Sequence, residues 1–178
     1  MPTYVALLRG IGPLDPNMRN EKLRGVFEHL GFAGVRTVIT TGNVIFEADS
    51  TDVAGLEAQI EAAWPELLGF TSCTIIRHAE QLRRLVAARP FGDREHGPAT
   101  GLDVTFLQRQ PDAPLDLPYS SERGDYQILA MDDRAIFSVL DRTVRPNPDL
   151  VRWIERQVGK QITTRTWATV QRIVSRLG

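Results

Sequence analysis

Three short stretches hold the residues with the most chemical capacity. The first, Arg9-Gly10-Ile11-Gly12, follows the apolar run Tyr4 to Leu8. Glycine reaches the left-handed backbone region that turns successive N–H groups toward one point, and such a nest binds anions. Arg9 would add positive charge to it. The same residues also make an ordinary turn, with Arg9 paired to a carboxylate inside the fold. The second stretch, Thr40-Thr41-Gly42-Asn43, is rich in hydroxyl and amide groups. It reads as a hairpin turn on backbone grounds alone. The other reading is that Thr41 and Asn43 donate to a ligand shared with the Arg9 loop. The third stretch, Thr163-Thr164-Arg165, opens an expected closing helix over 163–177. There Thr163 or Thr164 would cap the helix, and the helix start would favour an anion. Arg165 in the first turn opposes the helix dipole unless it has a partner.

The candidate ligand-binding set is therefore Arg9, Gly10, Gly12, Thr41, Asn43, Thr164 and Arg165. Its chemistry is recognition of a phosphate or carboxylate by arginines and N–H donors. No catalytic residue is assigned, and whether the protein is an enzyme is left open. The Arg9 loop lacks the Gly-Lys-Ser/Thr of a P-loop and the third glycine of a dinucleotide fingerprint. His29, His78 and His96 are too scattered for a metal site. Cys73 is the only cysteine, which excludes a disulfide framework and a cysteine zinc site. Its mid-strand position suits a small core residue, and Trp167 likewise reads as core filling. No metal and no cofactor are expected.

The elements that must position these residues follow from hydrophobic spacing. A buried strand is expected over 3–9. A helix follows over 17–30, with Leu23, Val26, Phe27 and Leu30 on one face. Strands over 35–40 and 44–47 flank the Gly42 turn. Thr51 and Asp52 offer a cap for a helix carrying Val53, Leu56, Ile60 and Ala63, ending near Trp64-Pro65 or one turn later. A strand over 71–77 completes β-α-β-β-α-β, the ferredoxin-like order of a four-stranded antiparallel sheet with both helices on one face. Leu7, Val26, Phe27, Val44, Phe46, Leu56 and Ile60 are expected to share its core. Beyond it the pattern gives a helix over 79–88, a strand over 103–107, a hairpin around Asp132-Asp133-Arg134, a helix over 149–158 and the closing helix. The fold class is thus α+β. A ferredoxin-like subdomain over 1–78 precedes a second, smaller α+β part over 79–178, whose C-terminal helices pack back on the first.

Four stretches resemble a bacterial family known as domain of unknown function 1697. These are Tyr4-Val-Ala-Leu-Leu-Arg-Gly-Ile11, the run from Leu30 to Phe46 with its Gly-Asn-Val turn, Arg89-Pro-Phe-Gly92, and Thr163-Thr-Arg-Thr-Trp-Ala-Thr-Val170. The resemblance implies ferredoxin-like α+β subdomains and no established activity. This chain departs from the family pattern in its first loop, which is shorter. Thr166 and Ala168 also stand where the family carries asparagines.

Composition bounds the function. With 21 basic and 22 acidic residues the net charge is −1, which disfavours a nucleic-acid-binding role. Only Lys22 and Lys160 are lysines, a bias consistent with a GC-rich genome. No apolar run reaches the roughly 20 residues needed to span a bilayer, and no signal peptide is expected at the N-terminus. A cytoplasmic protein without membrane partners is the expectation. Three functions remain: a binder of a small anionic ligand (phosphate or nucleotide), a protein-interaction or assembly module, and, ranked last, a nucleic-acid-binding module. The oligomeric state is left open.

Overall fold

Tyr4 to Leu8 is apolar without a break because both faces of its strand are buried. This strand, β1 (Thr3–Leu8), lies at the centre of an antiparallel sheet. The computed structural model describes residues 1–40 and 42–178. They divide into two compact units: residues 1–87 with 172–178, and residues 88–171.

In the first unit β1 is followed by a short 3₁₀ turn (Pro16–Met18), α1 (Asn20–His29), β2 (Ala33–Thr37), β3 (Asn43–Glu47), α2 (Val53–Leu67), β4 (Thr74–His78) and α3 (Ala79–Ala87). The sheet order is β2-β3-β1-β4 with every pairing antiparallel, a ferredoxin-like arrangement. Asp52 caps α2, its carboxylate accepting from Gly55 N at 3.0 Å. Leu23, Val26 and Phe27 of α1 share one core with Leu56, Ile60 and Trp64 of α2. The sheet contributes Tyr4, Ala6, Leu8, Val44, Phe46 and Ile76 to the same core. Both helices therefore cover the same face. Phe27 sits at its middle, 5.1 Å from the Phe46 ring and 6.0 Å from Trp64.

Two expectations are corrected here. Leu7 does not belong to this core. Side chains alternate along a strand, so Val5 and Leu7 point to the sheet's opposite face. β2 spans Ala33–Thr37 rather than 35–40: it begins earlier, with a register shift against β3 between Ala33 and Arg36 at Gly34 (φ +57°), and it ends before Ile39, whose φ of +61° leaves the strand region. The register shift is a bulge on an edge strand.

The other edge, β4, is occupied. Its outward amides at Thr74, Ile76 and His78 donate to Glu61 Oε1, Glu57 Oε1 and Gln81 Oε1, each at 2.9 Å. Glu57 and Glu61 lie one turn apart on α2, so one helix face reads alternate residues of the strand.

The second unit is built on a five-stranded antiparallel sheet, order β6-β7-β8-β5-β9. Its strands are β5 (Thr100–Leu107), β6 (Tyr119–Ser120), β7 (Tyr126–Asp132), β8 (Ala135–Asp141) and β9 (Ile162–Thr166). The expected β7–β8 hairpin is present. Asp133 and Arg134 form its two-residue turn with φ of +46° and +60°, as a primed turn requires. α4 (Leu150–Val158) lays Leu150 and Ile154 on Leu107, Ile128, Ile136 and Ile162.

The closing segment differs from expectation. Residues 162–166 are not helical: they form β9, paired antiparallel with β5, and the helix α5 spans only Trp167–Ser175. Three β-branched threonines favour extended backbone. Thr163 and Thr164 consequently cap nothing. That role falls to Thr166, whose Oγ1 accepts from Thr169 N at 3.2 Å. Arg165 lies in a strand and not in a helix's first turn. Trp167 is buried as expected, its ring 5.2 Å from Phe91, which in turn meets Phe137 edge-on at 5.8 Å. Among the described residues, no helix is long and apolar enough to cross a membrane.

Candidate functional site

The Arg9 loop and the turn before β3 lie side by side in the first unit. Leu8 N donates to Gly42 O at 2.9 Å, and Arg9 N donates to Cys73 O at 2.9 Å. Ser72 Oγ donates to Arg9 O at 2.7 Å. The backbone of Arg9 is thus consumed in holding the strand end, and the chain turns away at Gly10, with φ of +73°. Gly10 is exposed and nothing lies within 4 Å of the position of a Cβ there. Gly12 is half-buried, and its N–H meets Met18 Sδ at 3.2 Å.

Gly42 has a different constraint. Its φ is +78°, and a Cβ would stand 2.7 Å from Ile11 Cγ1. No other residue fits between the loop and the turn. Asn43 is 1% exposed, and its amide Nδ2 donates to Val38 O at 3.0 Å while Val38 N donates to Asn43 O at 3.0 Å. Its side chain therefore closes the 38–43 connection. Thr41 lies outside the described residues.

Thr164 and Arg165 belong to β9 of the second unit. Thr164 Oγ1 shares a 2.9 Å hydrogen bond with Thr105 Oγ1. The Arg165 guanidinium donates to Thr163 Oγ1 at 2.7 Å and to Thr164 O at 3.0 Å, and burial pushes its pKa down to about 10. Cys73 is not the mid-strand core residue expected: it lies just before β4 and is half-buried. Burial first, then Glu61 and Glu57, push its pKa up to about 11 against the opposing pull of Arg9, and a thiol so raised is not a nucleophile at neutral pH. Among the described residues, no three side chains of His, Cys, Asp or Glu come together as a metal set.

A second cluster of cations in the first unit escaped the sequence reading. A cleft of about 460 Å³ is lined by Arg36, Thr37, Val38, Ile39, Arg172 and Arg176. Arg36 projects from the exposed face of edge strand β2. Arg172 and Arg176 stand one turn apart at the end of α5, where positive charge complements the helix dipole. Arg36 donates to Arg176 O at 3.0 Å, satisfying a carbonyl at that helix end. None of the three arginines makes an ion pair with a carboxylate among the described residues. At the cleft wall Ile39 holds a φ of +61°, a strained conformation for a β-branched residue. Asn20 Nδ2 donates to its carbonyl at 2.8 Å and helps hold it there.

The chain is similar in fold to a solved structure described as "The structure of conserved bacterial protein SP0830 from Streptococcus pneumoniae". The two are 19% identical, the match covers 99% of each chain, and the TM-score is 0.76. No curated protein matches the chain. The family model described as "Protein of unknown function (DUF1697)" matches residues 1–137, well over half of the 178 residues, and the chain belongs to that family.

Proposed function

We propose that this protein binds a small anionic ligand bearing phosphate or carboxylate groups. The observation that carries the reading is the cleft of Arg36, Arg172 and Arg176, three guanidinium groups without a carboxylate partner among the described residues. Like charges gathered on one cleft repel, and an anion relieves that repulsion. Guanidinium forks match the oxygen pairs of phosphate and carboxylate. The volume falls within the roughly 300–1,000 Å³ of small-molecule sites.

Calorimetric titration with inorganic phosphate, pyrophosphate and citrate tests it. Exchange of both Arg172 and Arg176 for alanine should weaken the best of these ligands by about tenfold or more, which is about 1.4 kcal/mol. The same affinity should fall as salt rises from 50 to 200 mM. Arg36 is spared in this test because it also holds the end of α5. Equal affinity in the double variant would sink the proposal.

Arg9, Gly10, Gly12, Thr41 and Asn43, and separately Thr164 and Arg165 of β9, are further candidate contacts for the same ligand class. Supporting the first group is the exposed Gly10 at positive φ beside Arg9. Arg9→Ala and Arg165→Ala test them in the same titration, with a loss of affinity expected from each. The assembly reading finds no support at β4, where Glu57, Glu61 and Gln81 already accept from the outward amides. The nucleic-acid reading finds none on the face of the first sheet opposite α1 and α2, where Val5, Leu7, Ile45 and Ile75 are buried aliphatics rather than exposed rings that could stack on a base.

A further inference from the structure

The second unit carries a cleft of about 370 Å³ at the start of α4, and none of its lining residues has been named so far as a ligand contact. Three of its features are of different chemical kinds. One wall is aromatic: the Tyr119 and Trp153 rings are stacked at 4.4 Å between centroids and 22° between planes, and both are half-buried. A carboxylate also lines it. The Asp125 side chain is 2% exposed. Its Oδ1 accepts from Ser121 Oγ at 2.6 Å, while Oδ2 has only the Arg145 guanidinium at 3.9 Å, too far for a hydrogen bond. Finally, Arg123 and Arg156 are exposed on the cleft and make neither a hydrogen bond nor an ion pair among the described residues.

An aromatic wall accepts a flat ring. A carboxylate oxygen without a hydrogen-bond donor, on a side chain only 2% exposed, calls for an N–H from that ring. Unpaired guanidinium groups call for an anion. We propose that this cleft binds a purine nucleoside monophosphate, with guanine preferred over adenine. The ring extends the Tyr119–Trp153 stack, its N–H edge faces Asp125 Oδ2, and the phosphate meets Arg156 and Arg123. Guanine turns two adjacent N–H donors, N1–H and the 2-amino group, toward one carboxylate. Adenine offers its amino group beside the N1 lone pair, which repels a carboxylate oxygen.

The test is calorimetric titration of the full chain with GMP, AMP, guanosine and ribose 5-phosphate. It is run in the Arg172→Ala, Arg176→Ala background, so that anion binding by the first unit does not contribute. GMP should bind about tenfold tighter than AMP or ribose 5-phosphate. Arg156→Ala, a change at an exposed side chain, should weaken GMP about fivefold and leave guanosine unchanged. Asp125→Asn should erase the GMP preference. Because Asp125 also holds the 121–126 turn, that variant is read only if its thermal transition is retained, and otherwise Arg156→Ala decides. Equal affinity for GMP and ribose 5-phosphate, absence of GMP binding at millimolar concentration, or indifference of GMP to Arg156→Ala would overturn the proposal.

Discussion

Asp103 is a half-buried acid in the middle of a sheet. It lies on β5 opposite Ser138 of β8, and both Asp103 Oδ1 and Ser138 Oγ are buried without a hydrogen-bond partner among the described residues. Burial raises the Asp103 pKa, while Arg142 and His96 pull it back down. Ionisation therefore costs more in the folded chain than in the unfolded one, where the value is about 3.9. A raised acid is harmless while protonated in both states, and native stability declines as pH rises through its folded value. Asp103→Asn cannot ionise. Its thermal midpoint should exceed that of the wild type at pH 7, and the difference should close as pH falls below about 4. A lower midpoint at pH 7 would mean that Arg142 and His96 stabilise the carboxylate more than burial penalises it. The sequence shows Asp103 as the first residue of a strand pattern and nothing more. Its surroundings depend on which strands flank β5, and β9 carries no local signal that separates it from the helix after it. Arg9 and Gly10, by contrast, were legible as a strand end because glycine after an apolar run is a local signal. Arg36 with Arg172 and Arg176 was not, because spatial proximity between an edge strand and a distant helix end leaves no mark on spacing.

At the scale of elements, the ferredoxin-like order was legible because each of its parts carries its own pattern: the three- and four-residue spacing of α1 and α2, the short apolar strands, the Asp52 cap. The β9–α5 junction was not, since Thr163 to Trp167 contains neither glycine nor proline to separate strand from helix. The lock on β4 was also hidden, because Glu57 and Glu61 look like solvent-facing residues of an amphipathic helix until the strand beside them is known. Glu57 is in fact 6% exposed. Replacing it by leucine leaves the Ile76 amide without that acceptor, and such a loss costs about 1–3 kcal/mol. Glu57→Gln keeps an oxygen in place and should cost clearly less. Urea denaturation of the two variants checks the difference. Equal losses would show that the negative charge of Glu57, and not its acceptor oxygen, is what matters.

On the scale of the molecule, the first unit is not a continuous stretch of chain. Residues 172–178 belong with residues 1–87. The attachment is specific: Arg36 donates to Arg176 O, Arg83 Nη2 donates to Leu177 O at 3.1 Å, and Ile173 and Leu177 are buried. Removing residues 172–178 should therefore destabilise the first unit. Losing two buried aliphatic side chains alone costs about 3–6 kcal/mol by area, read as a lowered denaturation midpoint and increased proteolysis within residues 1–87. Unchanged resistance there would show that the segment only rests on the unit. The same connectivity bears on the order in which the protein is made. During synthesis every residue of the second unit leaves the ribosome before the last piece of the first, so the N-terminal unit must wait without its final seven residues while some 84 later residues are added. Contacts as distant in sequence as Arg36 with Arg176 form late, since loop closure precedes their gain. The first unit to be translated is thus the last to be finished.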